Sequence, residues 1–328
     1  EDSRHKLIVN CEDALGNEME EDVEYFLVDS KPPVTTKTYG EPTKVEGGYR
    51  WISSDTPITL TAEDEKVGVE KIIYRVTNVG DYQCPEECEE TGSGDWIEVT
   101  GDSTEFTIPD ESCHYIEFYS VDKLGNTEEV KSQCVMVDNT APTSVKEHGT
   151  PLVEDDGFDW VTQETPITLD CVDSGPHPVD QETLCFRVSF DEPDWHYITE
   201  EYCDYFGGSM NEEDYCCVYV GDDEGENSFV FHFLEDSQHN LEYYCVDHLG
   251  NDERDYNLAN PPQEGEITED GAWIQYYKVD SVPPTITKEM IGDDHIGQCP
   301  PQNEEDECYV RDDGENGVHI AVEDGGEI

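Results

Sequence analysis

A ten-residue stretch that begins at Trp51 (Trp-Ile-Ser-Ser-Asp-Thr-Pro-Ile-Thr-Leu) returns at Trp160 as Trp-Val-Thr-Gln-Glu-Thr-Pro-Ile-Thr-Leu, 109 residues later. Two other landmarks share that offset. Val28-Asp29-Ser30-Lys31-Pro32-Pro33 returns as Val137-Asp138-Asn139-Thr140-Ala141-Pro142, and again as Val279-Asp280-Ser281-Val282-Pro283-Pro284. Asp13-Ala14-Leu15-Gly16-Asn17 returns as Asp122-Lys123-Leu124-Gly125-Asn126, with a third copy at Asp247-His248-Leu249-Gly250-Asn251. A fixed period of this length means that one supersecondary unit is stacked or strung several times. It divides the chain into residues 1–31 (closing strands of one copy), 32–140 (a full copy), 141–282 (a larger full copy) and 283–328 (opening strands of another). Both ends are therefore expected to fall inside a copy. Insertions in the larger copy are expected between Trp195 and Phe231 and from Asn257 to Gln275.

Inside a copy the apolar period is two. Ile58, Leu60 and Ala62 alternate with Thr59 and Thr61, and Tyr115 to Val121 and Val130 to Val137 read as strands joined by the Asp-x-Leu-Gly-Asn turn. Alternation marks half-buried strands, and Asp, Gly and Asn supply that turn with backbone bonds and positive φ. About seven short strands per hundred residues, with no convincing amphipathic helix, predict an all-β fold of tandem Ig-like sandwiches with partial domains at both ends. The prolines at Pro32-Pro33, Pro142 and Pro283-Pro284 read as semi-rigid junctions.

Charge then limits the partners. The chain has 81 Asp and Glu against 17 Lys and Arg, a net −64. Such a surface repels a phosphate backbone and anionic lipid, so nucleic-acid and membrane-surface binding are set aside. Eighteen Tyr, ten Phe and five Trp argue for packed cores rather than disorder. No apolar run is long enough to cross a membrane as a helix, so no direct insertion is expected. The residues from Glu1 form no apolar leader, so a signal peptide is expected to be absent or removed. No G-x-S-x-G, H-E-x-x-H or phosphate loop occurs, and carboxylates are too common for one pair to stand out, so no enzyme is expected.

Thirteen cysteines in an acidic, strand-rich chain favour disulfides and an oxidising compartment. Zinc is the competing reading, but Cys84 and Cys88 have no matching pair downstream. Aligning the copies sets Ala62 against Cys171 and Ser120 against Cys245: small together or cysteine together. This suggests a Cys171–Cys245 bridge. Cys11 aligns with Cys245, and its partner is expected in a strand preceding residue 1. A Cys113–Cys134 cross-strand pair and local Cys84–Cys88 and Cys299–Cys308 loops are plausible, whereas the pairing of Cys185, Cys203, Cys216 and Cys217 stays open.

In an Ig-like sandwich the entering linker, the B–C turn and the F–G turn meet at one pole. In the first full copy that pole gathers Asp29, Asp64 (between Glu63 and Glu65), Asp122 and Asn126. In the second it gathers Asp138, Asn139, Asp173, Asp247 and Asn251, and the third junction offers Asp280 and Asp324 beside Glu323. Clustered carboxylates repel unless a cation neutralises them, and an all-oxygen set suits Ca²⁺. Ca²⁺ is thus the expected cofactor, held at the junctions and stiffening them. The competing reading is that turn Asp and Asn serve only the backbone, with the acidity an adaptation to salt. The repeated His5, His114 and His239, each eight residues before the turn Asp, and Trp51 and Trp160 read as structural.

The segments 56–64, 69–76, 114–126 and 137–143 together resemble the tandem Ig-like repeats of prokaryotic, above all archaeal, surface proteins: S-layer proteins, large adhesins and accessory modules of secreted glycosidases. The resemblance implies an extracellular location. It also implies interdomain Ca²⁺ on linker and turn Asp residues, carried best onto Asp138 and Asp247 and next onto Asp29 and Asp122. The expected function is a structural segment of an S-layer, sheath or filament, with copies of itself and divalent cations as partners. The alternative is an adhesin stalk or ligand-binding module whose contacts lie in the second copy's insertions. An accessory module of a secreted enzyme comes third. Richness in cysteine and acid, and the lack of any N-x-Ser/Thr sequon, depart from the common pattern.

Overall fold

The computed structural model describes all residues except 1, 47, 81–93, 176–177, 180–181, 191–195, 221–227, 293–294, 298–307, 311–316 and 324–328. The chain is all-β, with two short helices among the described residues. A hairpin opens it: β1 (Arg4–Val9) and β2 (Asp22–Leu27), antiparallel with Arg4 opposite Leu27.

The first full copy follows as β3 (Val34–Tyr39), β4 (Thr43–Glu46), β5 (Tyr49–Ile52), β6 (Ile58–Glu63), β7 (Val69–Gly80), β8 (Ile97–Thr100), β9 (Ser103–Phe106), β10 (Ser112–Asp122) and β11 (Lys131–Val137). One sheet runs β3-β6-β9 and the other β4-β5-β11-β10-β7-β8. Among the described residues its strands pair antiparallel, except β5 with β11, which run parallel with Met136 facing Trp51. The period-two pattern places Ile58, Leu60 and Ala62 of β6 inward, and they pack on Ile72, Ile116, Val135 and Val137 from the other sheet. That interdigitation of two inner faces makes the sandwich.

The second copy repeats the plan: β12 (Thr143–His148), β13 (Leu152–Asp155), β14 (Phe158–Val161), β15 (Ile167–Val172), β16 (Glu182–Phe190), β17 (His196–Tyr197), α1 (Thr199–Phe206), β18 (Ser209–Met210), β19 (Cys216–Val220), β20 (Phe229–Phe231), β21 (Gln238–Val246), α2 (Glu253–Ala259), β22 (Glu266–Ile267) and β23 (Trp273–Val279). Its sheets run β12-β15-β20 and β13-β14-β23-β21-β16-β19-β18, and β14 again pairs parallel with β23. The two helices, which sequence periodicity did not disclose, lie in or beside the insertions. The end comprises β24 (Thr285–Ile291) paired with β27 (Gly317–Glu323), and β25 (His295–Gly297) paired with β26 (Cys308–Val310).

Two compact units contain these elements: residues 1–143 with 172–182 and 246–252, and residues 144–171 with 183–245 and 253–328. The first therefore takes from the second repeat the segments that carry Asp173 and Asp247.

Three bridges join described cysteines. Cys171–Cys245 has the expected partners, Cα atoms 5.8 Å apart, and Cys185–Cys217 and Cys203–Cys216 clamp the first insertion. The expected Cys113–Cys134 bridge is not among them. Both residues are disulfide-bonded, but in register Cys113 faces Met136 and Cys134 faces Tyr115. The two are thus diagonal neighbours, too far apart for direct bonding. Cys11 is free and exposed. Cys84, Cys88 and Cys299, with the two local loops expected there, lie outside the described residues.

Each sandwich is latched by a buried carboxylate six residues after its turn Asp. Glu128 accepts from the amide of Thr35 (2.9 Å) and its hydroxyl (2.6 Å). Glu253 accepts from the Ser144 amide and hydroxyl, the Cys245 amide and Trp273 Nε1, at 2.9–3.0 Å. His114 and His239 are buried, as the structural reading expects; His239 stacks on Phe233 at 4.6 Å.

Candidate metal centres

The Asp-x-Leu-Gly-Asn turn folds the same way three times. In each copy Oδ1 of the Asp accepts the amide of the Asn four residues on, at 2.8–2.9 Å, and Oδ2 accepts the Asn side chain, at 2.7–2.8 Å. Gly16, Gly125 and Gly250 sit at φ +85°, +88° and +86°, the left-handed region that glycine enters without strain. The Asn also reaches outward. Asn126 Nδ2 donates to the Asp29 carbonyl at 3.3 Å, and Asn251 Nδ2 to the Asp138 carbonyl at 3.2 Å. Each turn is thereby tied to the linker at its own pole.

The result is two trios of aspartates at matching repeat positions. Asp29, Asp64 and Asp122 form one and Asp138, Asp173 and Asp247 the other, with one carboxylate oxygen from each residue within 4.8 Å of the others in its trio. At that spacing an unscreened pair of carboxylates repels by roughly 3 kcal/mol at an effective dielectric near 20. Local donors satisfy part of the demand. Lys31 N donates to Asp29 Oδ1, Lys66 N and Gly68 N to Asp64 Oδ1, Thr140 N to Asp138 Oδ1, Val179 N to Asp138 Oδ2 and Gly175 N to Asp173 Oδ1. One buried oxygen in each trio is left over: Asp29 Oδ2 and Asp173 Oδ2 have no hydrogen-bond partner. An orphaned buried carboxylate oxygen in an all-oxygen cluster is the donor set that a hard divalent cation takes.

The trios are not equivalent. Burial drives Asp138 up to about 7 and Asp173 up to about 6, with Asp173 and Asp247 respectively adding repulsion, and burial also raises Asp247. In the first trio the Gly68 amide holds Asp64 below its usual value. A fourth carboxylate stands beside each. Glu111 borders the second trio, receiving the Thr140 hydroxyl at 2.8–2.9 Å, while Asp2 borders the first, 3.5 Å from Lys66 Nζ. Lys31 and Lys66 line a cavity of about 130 Å³ beside the first trio together with Asp29, Glu63, Asp64 and Glu65. The second copy has Thr140 and Gly175 at these two lysine positions. A Cβ on Gly175 would stand 3.0 Å from Glu111 Oε1 and 3.5 Å from Asp138 Oδ1, so a side chain would fill the space over the carboxylates.

The structure thus gathers eight of the expected residues: six buried or half-buried aspartates, Asp29, Asp64, Asp122, Asp138, Asp173 and Asp247, and the braces of the two turns, Asn126 and Asn251. Asn139 turns away and accepts the Ser54 amide at 2.7 Å. Asp280 accepts the Val282 amide at 2.9 Å and joins no trio of described residues. Asp324 lies outside the described residues. Glu111 and Asp2 were missed, although they share the 109-residue offset that exposed the rest.

No family model and no curated protein matches this chain. Among solved structures it is similar to the FN1–FN3 domains of chicken CNTN1, at 10% identity over 75% of this chain and 71% of that one, with a TM-score of 0.33. It is also similar to the fibronectin(III)-like modules of Clostridium thermocellum CbhA, at 15% identity over 74% and 93%, with a TM-score of 0.29.

Proposed function

We propose that the chain is a structural segment of an extracellular surface assembly, an S-layer, sheath or filament, built from tandem acidic Ig-like repeats that bind Ca²⁺ at their linkers. The observation that carries this reading is the pair of aspartate trios, each combining a linker residue with two turn residues and each keeping a buried carboxylate oxygen without a donor. A cation there ties the linker to the turns, and that restrains the junction. The disulfides support an oxidising location. No helix among the described residues is long and apolar enough to cross a membrane. Copies of the same chain are the proposed lateral partners, with divalent cations screening a surface of net charge −64.

Electron microscopy of the native material, with and without EGTA, tests this. Ordered sheets, tubes or fibres that fall apart on chelation are the expected result. Dispersed particles in both conditions would overturn the assembly reading. A second reading, a ligand-binding module, is favoured by one observation: Tyr197, Tyr205 and Tyr219, in the insertion clamped by two disulfides, are 54%, 61% and 79% exposed.

A further inference from the structure

The outer face of the second copy carries an alternating series of rings and guanidinium groups. Arg254 lies over the ring of Tyr244 at 4.0 Å and 5.7 Å from the centre of the Tyr215 ring. Arg187 lies over Tyr215 at 4.2 Å and over Tyr197 at 4.5 Å. Each cation is neutralised at its edge. Glu242 accepts from Arg187 Nε at 2.9 Å and from its Nη2, and Glu213 accepts from Arg254. Tyr215, in the middle, is fully buried and donates its hydroxyl toward Glu242 and Asp270. The series Tyr244, Arg254, Tyr215, Arg187, Tyr197 therefore ends on a ring.

That last ring is 54% exposed and lines a groove of about 420 Å³. The other described lining residues are Thr199, Glu200, Met210 and Asp214, which supply two carboxylates, a hydroxyl and a polarisable thioether, but no cation. Asp214 is held at φ +63°, one of only two non-glycine residues with positive φ in the described chain. The walls are fixed by Cys185–Cys217 and Cys203–Cys216. A groove lined by a half-exposed aromatic ring and two carboxylates is complementary to a cation that can stack and hydrogen-bond at its edge. Guanidinium does both, being planar, weakly hydrated and rich in donors; an ammonium does only the second as well.

We propose that this groove is a docking site for an arginine side chain presented by a partner protein, which would add the next cation to the series on Tyr197 and pair with Glu200 and Asp214. The net charge of −64 draws basic partners toward it. This proposal does not depend on Ca²⁺ at the aspartate trios.

The test uses the full chain and N-acetyl-arginine amide, followed by saturation-transfer NMR at 150 mM NaCl so that general charge attraction is screened. Saturable binding is expected, tighter than that of N-acetyl-lysine amide. Tyr197→Leu, which leaves every charge in place, is expected to weaken it about 5-fold, as loss of a ~1 kcal/mol cation–π contact would. Asp214→Asn, a residue that tolerates left-handed φ, is expected to weaken it as well, while Tyr205→Leu elsewhere on the insertion is expected to have no effect. Equal binding by the unaltered and Tyr197→Leu chains, tighter binding of the lysine probe, or no saturable binding would each overturn the proposal.

Discussion

Replacing Asp173 by asparagine should stabilise the chain in the absence of Ca²⁺ and weaken it in its presence. Asn is isosteric, can still accept the Gly175 amide, and removes one negative charge from a trio whose carboxylate oxygens lie within 4.8 Å of one another. Asp173 is raised to about 6 from 3.8, chiefly by burial. A shift of this size corresponds to about 3 kcal/mol of penalty at pH 7.5, when the group must be ionised in the fold. Sharing among three coupled carboxylates and partial solvent access reduce what one substitution recovers to about 1–2 kcal/mol. The sign follows from linkage. The folded form holds a proton that the unfolded form has lost between the two values, so this penalty is absent below about 4 and complete above about 6. The gain from Asp173→Asn should therefore fade on acidification.

With Ca²⁺ the account reverses. Binding stabilises by RT ln(1 + [L]/Kd), about 2.7 kcal/mol at a hundred times Kd. Loss of a direct ligand should weaken binding by on the order of 100-fold, since even supporting residues around metal sites cost 10–100-fold. At the Ca²⁺ level that is a hundredfold above the wild-type Kd, the variant then keeps only about 0.4 kcal/mol of that stabilisation. The difference, about 2.3 kcal/mol, exceeds the 1–2 kcal/mol gained without the ion. Thermal midpoints in EGTA and in CaCl₂ at matched ionic strength, against MgCl₂ and NaCl controls, read both signs. A shift in the same direction in both media, or stabilisation equal in Mg²⁺ and Na⁺, would refute the reasoning and leave the trios as backbone-serving turns.

Three further outcomes are expected. Lys37 Nζ has no hydrogen-bond partner and lies over Tyr39 and Phe118; burial pushes it down to about 7 from 10.5, and the charge of Arg50 adds to this. Because the unfolded chain binds the extra proton between those values, stability rises with pH from about 7 to 10.5, so Lys37→Met should raise the denaturation midpoint most at pH 6–7 and progressively less toward pH 10. Glu253→Ala strips four donors of their acceptor and should cost about 3–5 kcal/mol in urea unfolding, with loss of the Trp273 contact visible in fluorescence. Replacing Cys171 and Cys245 together by Ala and Ser, the pair that the first copy carries at Ala62 and Ser120, removes a bridge closing a 74-residue separation and should cost about 4 kcal/mol by the chain-entropy relation, read as a lower midpoint that no longer responds to reductant at this site.

The fold was legible because burial and repetition act on the same positions. Ile58, Leu60 and Ala62 alternate inward, and their counterparts Ile167, Leu169 and Cys171 do the same one repeat later. Cys171 could be paired with Cys245 because the first copy shows small residues at both places, which only neighbours across a core require. Internal comparison has no purchase on inserted segments. Helices α1 and α2, and the choice among Cys185, Cys203, Cys216 and Cys217, lie in or beside stretches that occur once, and their pairings follow from how β19 runs beside β16 and α1. Cys113 and Cys134 flank the turn almost symmetrically in sequence, yet the strand register places them diagonally, and register is a property of pairing that sequence symmetry does not determine.

The aspartate trios were legible as positions but not as energies. A fixed offset maps Asp29 onto Asp138 and Asp64 onto Asp173, and by itself it suggests two equal sites. What separates them lies in the residues between the landmarks. Lys66 Nζ sits 3.2 Å from the Val28 carbonyl and 3.5 Å from Asp2, so the first pole already carries positive charge of its own. In the second, glycine replaces Lys66, threonine replaces Lys31 and Glu111 replaces Asp2, and burial then raises all three aspartates of the trio. Each pole keeps an orphaned carboxylate oxygen, but a cation entering the first must compete with lysines held there by the chain, whereas the second has no lysine at either matching position. Under the Ca²⁺ reading the second pole therefore fills first, and the junction between the two full copies stiffens at lower Ca²⁺ than the one before it.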